Sequence, residues 1–399
     1  MMLPASLDDI KVLDLSEGVA GPLCAKILAD FGAEALKIEP PEGDVARRMA
    51  PHLGNVSHPE KSLIFLFANL NKRGIKLDLD DHEGRKLLRQ MARKADIIVE
   101  SFKPGYLASI GLDHAALARE NPGLIMVSVT PFGQTGPYST FESEDIVSYA
   151  MSGMMSISGM ADREPLKHGG FQSLYEGGLN GAVAAIIALY ARDLTGEGQH
   201  VDVSIHEVVT STLVIHQPFY SWAGAVQGRR PADGASYGQV QRCKDGYFVW
   251  QTGGGADWPD IVEFFGHEAL KEERFSTPSS RTVHGEDLDC YVLEATEDRT
   301  MHELFRTSAE DYHMLFGIVQ EPEDLANCPH LEFSNFFEEV DHPVMGSIKV
   351  PFQLWTMSES APQYKMPAPL LGQHNVEVYR DELGLDAPAM ATLSERGVI

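Results

Sequence analysis

Two glycine-containing loops follow apolar runs typical of strands, and such loops are where parallel sheets bind ligands. The first is Ser16–Pro22, behind Ile10–Leu15, and the second is Pro131–Tyr138, behind Leu124–Val129. The first loop is not G-x-G-x-x-G, and the chain contains neither G-x-x-x-x-G-K-[ST] nor H-E-x-x-H. Dinucleotide binding, nucleotide hydrolysis and zinc-protease chemistry therefore lack their usual motifs. The second loop is compatible with a ligand-binding loop or with a plain turn.

The spacing of cysteine and histidine does not encode a metal site. Cys24, Cys243, Cys290 and Cys328 form no C-x-x-C pair, and none of the 15 histidines has metal-ligand spacing with another. The N-terminus carries no basic and apolar leader, and the longest apolar run, Ala182–Tyr190, is shorter than the roughly 20 residues that span a bilayer. We expect a cytoplasmic protein with no metal and no membrane segment.

Composition excludes several classes of partner. The chain has 399 residues, with 32 Lys and Arg against 58 Asp and Glu, which gives a net charge of −26. Nucleic acids and anionic membranes both require clustered basic residues, so neither is an expected partner. A hydrophobic share of 43% is ordinary for a globular protein, and the length suits two or three domains.

The order of the elements predicts an α/β fold. Apolar strand patterns alternate with helical patterns, beginning with strand 10–15, helix 23–31 and strand 35–39. Further strands are predicted at 74–79, 96–100 and 124–129, so we expect a mostly parallel sheet covered by helices. Later, residues 177–191 predict a helix of small residues, and a second long helix is predicted to run from Ser204 to about Trp222.

The remaining sequence predicts a second domain. Residues 1–223 form the first part of a large domain, and 224–240, rich in Gly, Pro and Arg, form a linker. The turn Lys244–Gly246 predicts a β-hairpin at the start of a small domain that covers residues 241–335. Residues 336–399 return to the large domain and end in a helix predicted near Asn375–Leu383.

Motifs spread over nearly the whole chain occur in an order familiar from one family. They are IKVLDLSEGVAGP, DFGAEALKIE, KADIIVESFKPG, SVTPFGQTGPY, DIVSYAMSGMMSISG, TGEGQHVDVSIHE and PLLGQH. In these segments the chain resembles the class III CoA-transferases, which include formyl-CoA, carnitine and benzylsuccinate CoA-transferases. The resemblance implies a Rossmann-like large domain, a smaller α+β domain and a dimer whose two chains interlock. It also implies a CoA thioester as substrate and no covalently bound cofactor.

The resemblance implies one catalytic carboxylate, and this chain departs from the family there. In the family an Asp attacks the acyl-CoA thioester, which gives a mixed anhydride and a CoA thiolate. That Asp stands four residues before a glycine, and the matching position before Gly178 is Leu174, which has no nucleophile. Glu176 is a possible surrogate, although its side chain should point away from the face that Leu174 occupies. Asp145 matches a supporting acid of the family and suits a helix cap equally well.

The positions that the resemblance assigns to CoA also depart from the family. Relatives commonly carry basic residues where this chain has Pro40 and Asp80, so a phosphate would meet no cation at either position. The family's contacts place the degenerate CoA site at Val19, Ala20, Pro40, Leu77, Asp80, Ser101, Phe102 and Lys103.

These departures favour the non-catalytic subunit of a heteromeric enzyme. Its partner would be a homologous subunit that carries the Asp, and its substrates an acyl-CoA such as succinyl-CoA and a carboxylic acid such as benzylsuccinate. The situation resembles two-subunit succinyl-CoA:benzylsuccinate CoA-transferase, in which one chain lacks the aspartate. Two alternatives are a self-sufficient homodimeric transferase that uses Glu176 and a binding protein that has kept the fold without catalysis.

Overall fold

The computed structural model describes residues 5–229, 240–252 and 255–399, and the chain forms two compact units. The first unit comprises residues 1–159, 163–229 and 334–399, and the second comprises 160–162 and 230–333. The first unit thus extends six residues past the predicted end at 223 and resumes two residues before the predicted 336. Most of the predicted linker, 224–240, lies outside the described residues.

A parallel sheet of six strands is the centre of the first unit, which confirms the predicted α/β class. Its order is β3-β2-β1-β4-β5-β6. The first three strands are added in one direction from β1 and the last three in the other, so the strand order reverses between the neighbours β1 and β4. The strands are β1 (Lys11–Asp14), β2 (Glu34–Glu39), β3 (Lys72–Lys76), β4 (Ile97–Glu100), β5 (Ile125–Thr130) and β6 (His200–Ser204).

Strand β3 begins two residues before the predicted start at 74 and ends three residues before the predicted end at 79. It leaves the sheet early because the Asp78 N–H bonds the Val398 carbonyl rather than β2.

Helices cover both faces of this sheet. Leu7 and helix α1 (Ala20–Asp30) contribute to one buried apolar cluster, and helix α3 (His82–Ala92) contributes to the other. The helices are α1 (Ala20–Asp30), α2 (Leu63–Ala68), α3 (His82–Ala92), α4 (Tyr106–Ser109), α5 (His114–Leu117), α6 (Asp145–Met151), α7 (Gln172–Thr195), α8 (Ile205–Ser211) and α9 (His216–Ala223).

The long helix predicted from Ser204 to Trp222 is wrong, because it is divided into α8 and α9. Pro218 lacks an N–H and would clash with a preceding helical carbonyl, so it is tolerated in the first turn of a new helix. The hydroxyls of Thr210 and Thr212 also bond backbone carbonyls at the end of α8, which competes with its continuation.

The second unit combines a small antiparallel sheet with helices. The predicted hairpin is present as β7 (Gln241–Arg242) and β8 (Tyr247–Gln251), and a strand that was not predicted, β9 (Leu315–Ile318), pairs with β8. The helices are α10 (Trp258–Phe265), α11 (Pro278–Val283), α12 (Gly285–Thr296), α13 (Met301–Glu310), α14 (Pro322–Ala326) and α15 (Pro329–Phe333).

The C-terminal segment completes the first unit. It contains the antiparallel pair β10 (Phe337–His342) and β11 (Gly346–Pro351) and ends in helix α16 (Ala387–Glu395). The helix predicted near 375–383 is a π-helical segment, Glu377–Glu382. The Asn71 side chain accepts the N–H groups of Lys365 and Met366. These two bonds fix the backbone at 365–366 to the residue that precedes β3.

Glycines allow α7 to pack directly on α1. A Cβ on Gly178 would lie 2.5 Å from the Ala20 carbonyl oxygen, and one on Gly181 would lie 3.2 Å from Cys24 Sγ. The first distance is too short for any side chain. The two helix backbones therefore approach closely, and this contact sets the position of the start of α7 relative to the turn before α1.

Replacing Gly178 with alanine tests this contact. Alanine favours an exposed helix by about 1 kcal/mol over glycine, but here its methyl group meets backbone. We expect Gly178→Ala to lower the free energy of unfolding by about 1–3 kcal/mol in urea titrations. Gly169→Ala is the control, because a Cβ there meets nothing within 4 Å. Equal stability of the two variants would contradict the packing described here.

Candidate active-site region

The nucleophile position lies inside the first turn of α7. The helix begins at Gln172, so the predicted start at Gly177 is wrong and Leu174 is helical. Leu174 precedes Gly178 by one turn, on the face that packs against α1, and its side chain contacts the buried cluster that contains Ala20 and Ile205. The position that bears a carboxylate in the family is therefore filled here by an apolar side chain in apolar packing.

Asp145 explains the early start of α7. Phe171, the N-cap residue, provides no side-chain cap, but Asp145 accepts the Ser173 N–H at 3.0 Å and the Ser173 hydroxyl at 2.7 Å. Its second oxygen binds Lys167 Nζ at 2.5 Å. Both oxygens of this buried carboxylate are thus engaged: Oδ1 joins α6 to the N-terminus of α7, where a negative charge is stabilising, and Oδ2 holds Lys167 in the preceding loop.

Glu176 lies on the other side of α7. It lies two helical positions after Leu174, which turns its side chain by about 160° from the Leu174 face. Its neighbours are Asp145 and His168, whose Nδ1 lies 2.8 Å from the Tyr149 hydroxyl. Burial, together with the charge of Asp145, raises the pKa of Glu176 against the opposing effect of His168. One carboxylate oxygen, Oε2, has no hydrogen-bond partner among the described residues.

A buried ion network holds the glycine turn before α1. Lys72 Nζ lies 2.7 Å from Asp14 Oδ2, and Lys37 Nζ lies 2.7 Å from Asp44 Oδ2. The other Asp44 oxygen accepts the Gly18 N–H at 2.9 Å. Burial lowers the pKa of Lys72 to about 8, opposed by Asp14. The turn is thus fixed by groups that are already paired with one another.

A cleft of about 380 Å³ opens beside this turn at the carboxyl ends of β1 and β2. Four carboxylate residues line it, and the basic residue among the described lining residues is Arg48. The four are Glu17, Glu42, Asp78 and Asp80. Burial and the nearby charges of Asp44 and Glu42 raise the pKa of Glu17, as expected where like charges crowd. The cleft therefore opposes the binding of a phosphate-rich ligand.

The cleft brings together half of the CoA positions implied by the resemblance. Pro40, Leu77, Asp80 and Phe102 line it. The other four do not: Val19 and Ala20 are buried at the start of α1, Ser101 Oγ accepts the Glu17 N–H at 2.9 Å, and Lys103 pairs with Glu142 outside the cleft.

The sequence analysis did not identify several residues of this region. Glu17, Glu42 and Asp78 come from three separate loops. Glu17 and Glu42 follow predicted strands, which was a signal for them, whereas Asp78 lay inside the predicted strand 74–79 and gave none. Lys167 and His168 gave no signal, because they reach Asp145 and Tyr149 through the fold. The chain also contains a G-x-S-x-G pattern at 234–238, which lies outside the described residues.

Among the described residues, no group of three or more His, Cys, Asp or Glu side chains could hold a metal ion.

Helices α7 and α9 present a large apolar surface. On α7 the side opposite the glycines is exposed, with Leu194 71% exposed, and on α9 Trp222 is 91% exposed. Two apolar grooves of about 540 and 430 Å³ adjoin α7, and Leu179 lines both. By length and composition α7 could cross a membrane, but its glycine face packs on α1. A helix that is apolar on every side usually has all its sides covered.

Comparison with known proteins gives consistent matches. The sequence model described as CoA-transferase family III matches residues 7–375. Succinyl-CoA–D-citramalate CoA-transferase of Chloroflexus aurantiacus is 31% identical, over 99% of this chain and 98% of that protein. Subunit BbsE of succinyl-CoA:(R)-benzylsuccinate CoA-transferase from Thauera aromatica is 30% identical, over 92% of each chain. The crystal structure of a CAIB/BAIF family protein from Brucella suis superposes with a TM-score of 0.85 at 28% identity, over 95% of this chain and 99% of that one.

Removing the Asp145 carboxylate tests its role at the start of α7. We expect Asp145→Ala to lower the free energy of unfolding by about 2 kcal/mol, because Lys167 and the Ser173 N–H lose their partner. Glu142→Gln, which breaks an exposed pair with Lys103, should cost less than about 1 kcal/mol. Thermal unfolding of both variants measures the difference, and an equal loss would show that Asp145 is not an anchor.

Proposed function

Since the chain belongs to CoA-transferase family III, we propose that it is the non-catalytic subunit of a heteromeric CoA-transferase. The observation that carries this proposal is Leu174, a residue without a nucleophile at the family's catalytic position, packed among apolar side chains. The partner is a homologous chain with Asp in the D-x-x-x-G pattern. The relatives named for succinyl-CoA support succinyl-CoA as the donor and a dicarboxylic acid as the acceptor.

The chemistry requires the partner's carboxylate. In the reaction implied by the family, a carboxylate oxygen attacks the thioester carbonyl, and the C–S bond breaks to give an acyl anhydride and a CoA thiolate. The thiolate then attacks the enzyme's own carbonyl, which releases the acid and leaves an enzyme thioester. Leucine can accept no acyl group, so this chain cannot begin the sequence at position 174.

The charge of the cleft supports the same conclusion. CoA carries several phosphate charges, and here they would meet Glu17, Glu42, Asp78 and Asp80. Each lost charged contact to a phosphate costs about 1.5–3 kcal/mol. Losing two contacts weakens binding by more than about a hundredfold. Loss of the nucleophile and loss of ligand affinity are separate changes, and both fit a chain that lends its scaffold to a catalytic partner.

The apolar surface of α7 and α9 supports a stable partner. Its side chains and the two adjoining grooves form the kind of apolar surface that obligate subunits bury. An interlocked pair of homologous chains, one with the catalytic Asp and one without, would cover it. We propose a cytoplasmic assembly of this kind.

One feature favours a second candidate, a self-sufficient transferase. Among the described residues, one carboxylate oxygen of Glu176 has no partner and is free to attack a thioester. Its position on the Asp145 side of α7 makes it the less favoured choice, since the Leu174 side carries the contact with α1.

Activity of the purified chain separates these candidates. We expect no CoA transfer from succinyl-CoA to benzylsuccinate or D-citramalate by this chain alone, and transfer once the partner is co-expressed. Glu176→Gln should leave the activity of the assembly unchanged, as should the exposed control Glu197→Gln. Turnover by the single chain that Glu176→Gln abolishes would contradict the proposal. Inactivity of the chain both alone and with its partner would favour a binding protein.

CoA stoichiometry of the assembly tests the charge argument. Calorimetric titration should give about one CoA per pair of chains, because this chain's cleft repels phosphate. Asp80→Lys with Pro40→Arg should raise the second cleft's occupancy without adding activity, while Asp193→Lys, which repeats the Asp80→Lys charge change at an exposed position that does not line the cleft, should not. Two equal tight sites in the unmodified assembly would contradict this proposal.

A further inference from the structure

Glu100, the last residue of β4, is a buried acid with no role in the proposed function. The residue is 3% exposed, and the strand register places it beside Ser128 of β5, which in turn pairs with Asp202 of β6. Residues in register point to the same face of a sheet. Ser128 lies beside Glu100 in the register and its hydroxyl lowers the Glu100 pKa, while its Oγ lies 2.8 Å from His200 Nε2. Since His200 is exposed, polar groups lead from the buried carboxyl group to solvent.

The same carboxylate holds the wall of the acidic cleft. Glu100 Oε2 accepts the Phe102 N–H at 2.7 Å. The Phe102 ring packs on Tyr106, with 4.9 Å between ring centroids, and both rings line the cleft. The Tyr106 hydroxyl donates to Asp80 at 3.0 Å. The Phe102 and Tyr106 rings, the second of which holds the Asp80 carboxylate through its hydroxyl, are therefore positioned in part by the bond between Glu100 and Phe102.

We propose that Glu100 is a positioning residue for this cleft, and that proton uptake along the His200–Ser128 path loosens the Phe102 wall. Uptake begins when His200 takes a proton from solvent at Nδ1. Its Nε2–H then passes to Ser128 Oγ while the Ser128 hydroxyl proton passes to Glu100, which leaves the histidine and serine neutral and the carboxyl group protonated. The protonated carboxyl accepts the Phe102 N–H less strongly than the carboxylate does. This inference does not depend on the non-catalytic role, since it concerns the wall and not what the cleft binds.

The surroundings place this titration near neutral pH. A pocket of about 280 Å³ adjoins Glu100, and His200, Asp113, His114 and Lys103 line it. Asp202 of β6 also acts on the carboxylate. Burial, with a smaller effect of Asp202, raises the pKa of Glu100 to about 7 against the hydrogen bonds of Ser128 and Phe102. Lys103 is paired with Glu142. The wall is thus held most firmly above this pKa.

Hydrogen exchange at the Phe102 amide tests the proposal without any CoA. In the unmodified chain, protection corrected for the intrinsic rate should rise about fivefold or more between one pH unit below and one above the Glu100 pKa, as a gain of about 1 kcal/mol requires. Glu100→Gln keeps an acceptor but cannot titrate, so its protection should not change with pH. Ser128→Ala should move the midpoint to higher pH, because the hydroxyl lowers the Glu100 pKa.

Two results would overturn this inference. A flat profile in the unmodified chain would exclude a titrating bond at Phe102, whatever the variants do. An unchanged pH dependence in Glu100→Gln would assign the titration to another group. Glu142→Gln is the matched control, because it makes the same acid-to-amide change at an exposed residue that pairs with Lys103. It should keep the profile of the unmodified chain.

Discussion

The contact between α1 and α7 is the constraint on which the site depends. With glycines at 177, 178 and 181, α7 lies so close to α1 that its first turn adjoins the turn that follows β1. Any residue at 174 must then face that turn, whether it is an aspartate or a leucine. The fold thus places residue 174 on the face that packs against α1 regardless of its chemistry, as the proposed non-catalytic role requires.

Charges at the carboxyl edge of the sheet fall into two groups with opposite consequences. Asp14, Lys37, Asp44 and Lys72 are buried and paired, and they fix the turn before α1. The carboxylates of the neighbouring cleft have little cationic compensation, so they repel anions. The first group depends on folding alone, while the second bears directly on which ligand enters. The buried pairs would therefore hold the turn even in a chain whose cleft does not bind the ligand.

The sequence predicted five of the six strands of the parallel sheet, most of them as local apolar runs followed by a turn signal. It did not predict β6 (His200–Ser204), in which His and Asp interrupt the apolar pattern. It did not predict where α7 begins, because the group that caps the helix, Asp145, lies 28 residues earlier and meets Ser173 only in the fold. It missed β9 because a four-residue strand distant from its partner β8 has a weak local pattern. From the sequence, Asp80 was the one acid assigned to the ligand site, because Glu17 and Glu42 reach the cleft from other loops. Local patterns thus gave the elements, and long-range contacts decided the site.

The most direct test asks which chain carries the acyl group during turnover. The co-purified assembly is mixed with succinyl-CoA, and hydroxylamine is added to convert an activated carboxyl group of the enzyme to a hydroxamate. Peptide mass mapping then locates the modified residue. The account predicts a hydroxamate on the aspartate of the partner chain and none on this one. A hydroxamate at Glu176 would contradict it.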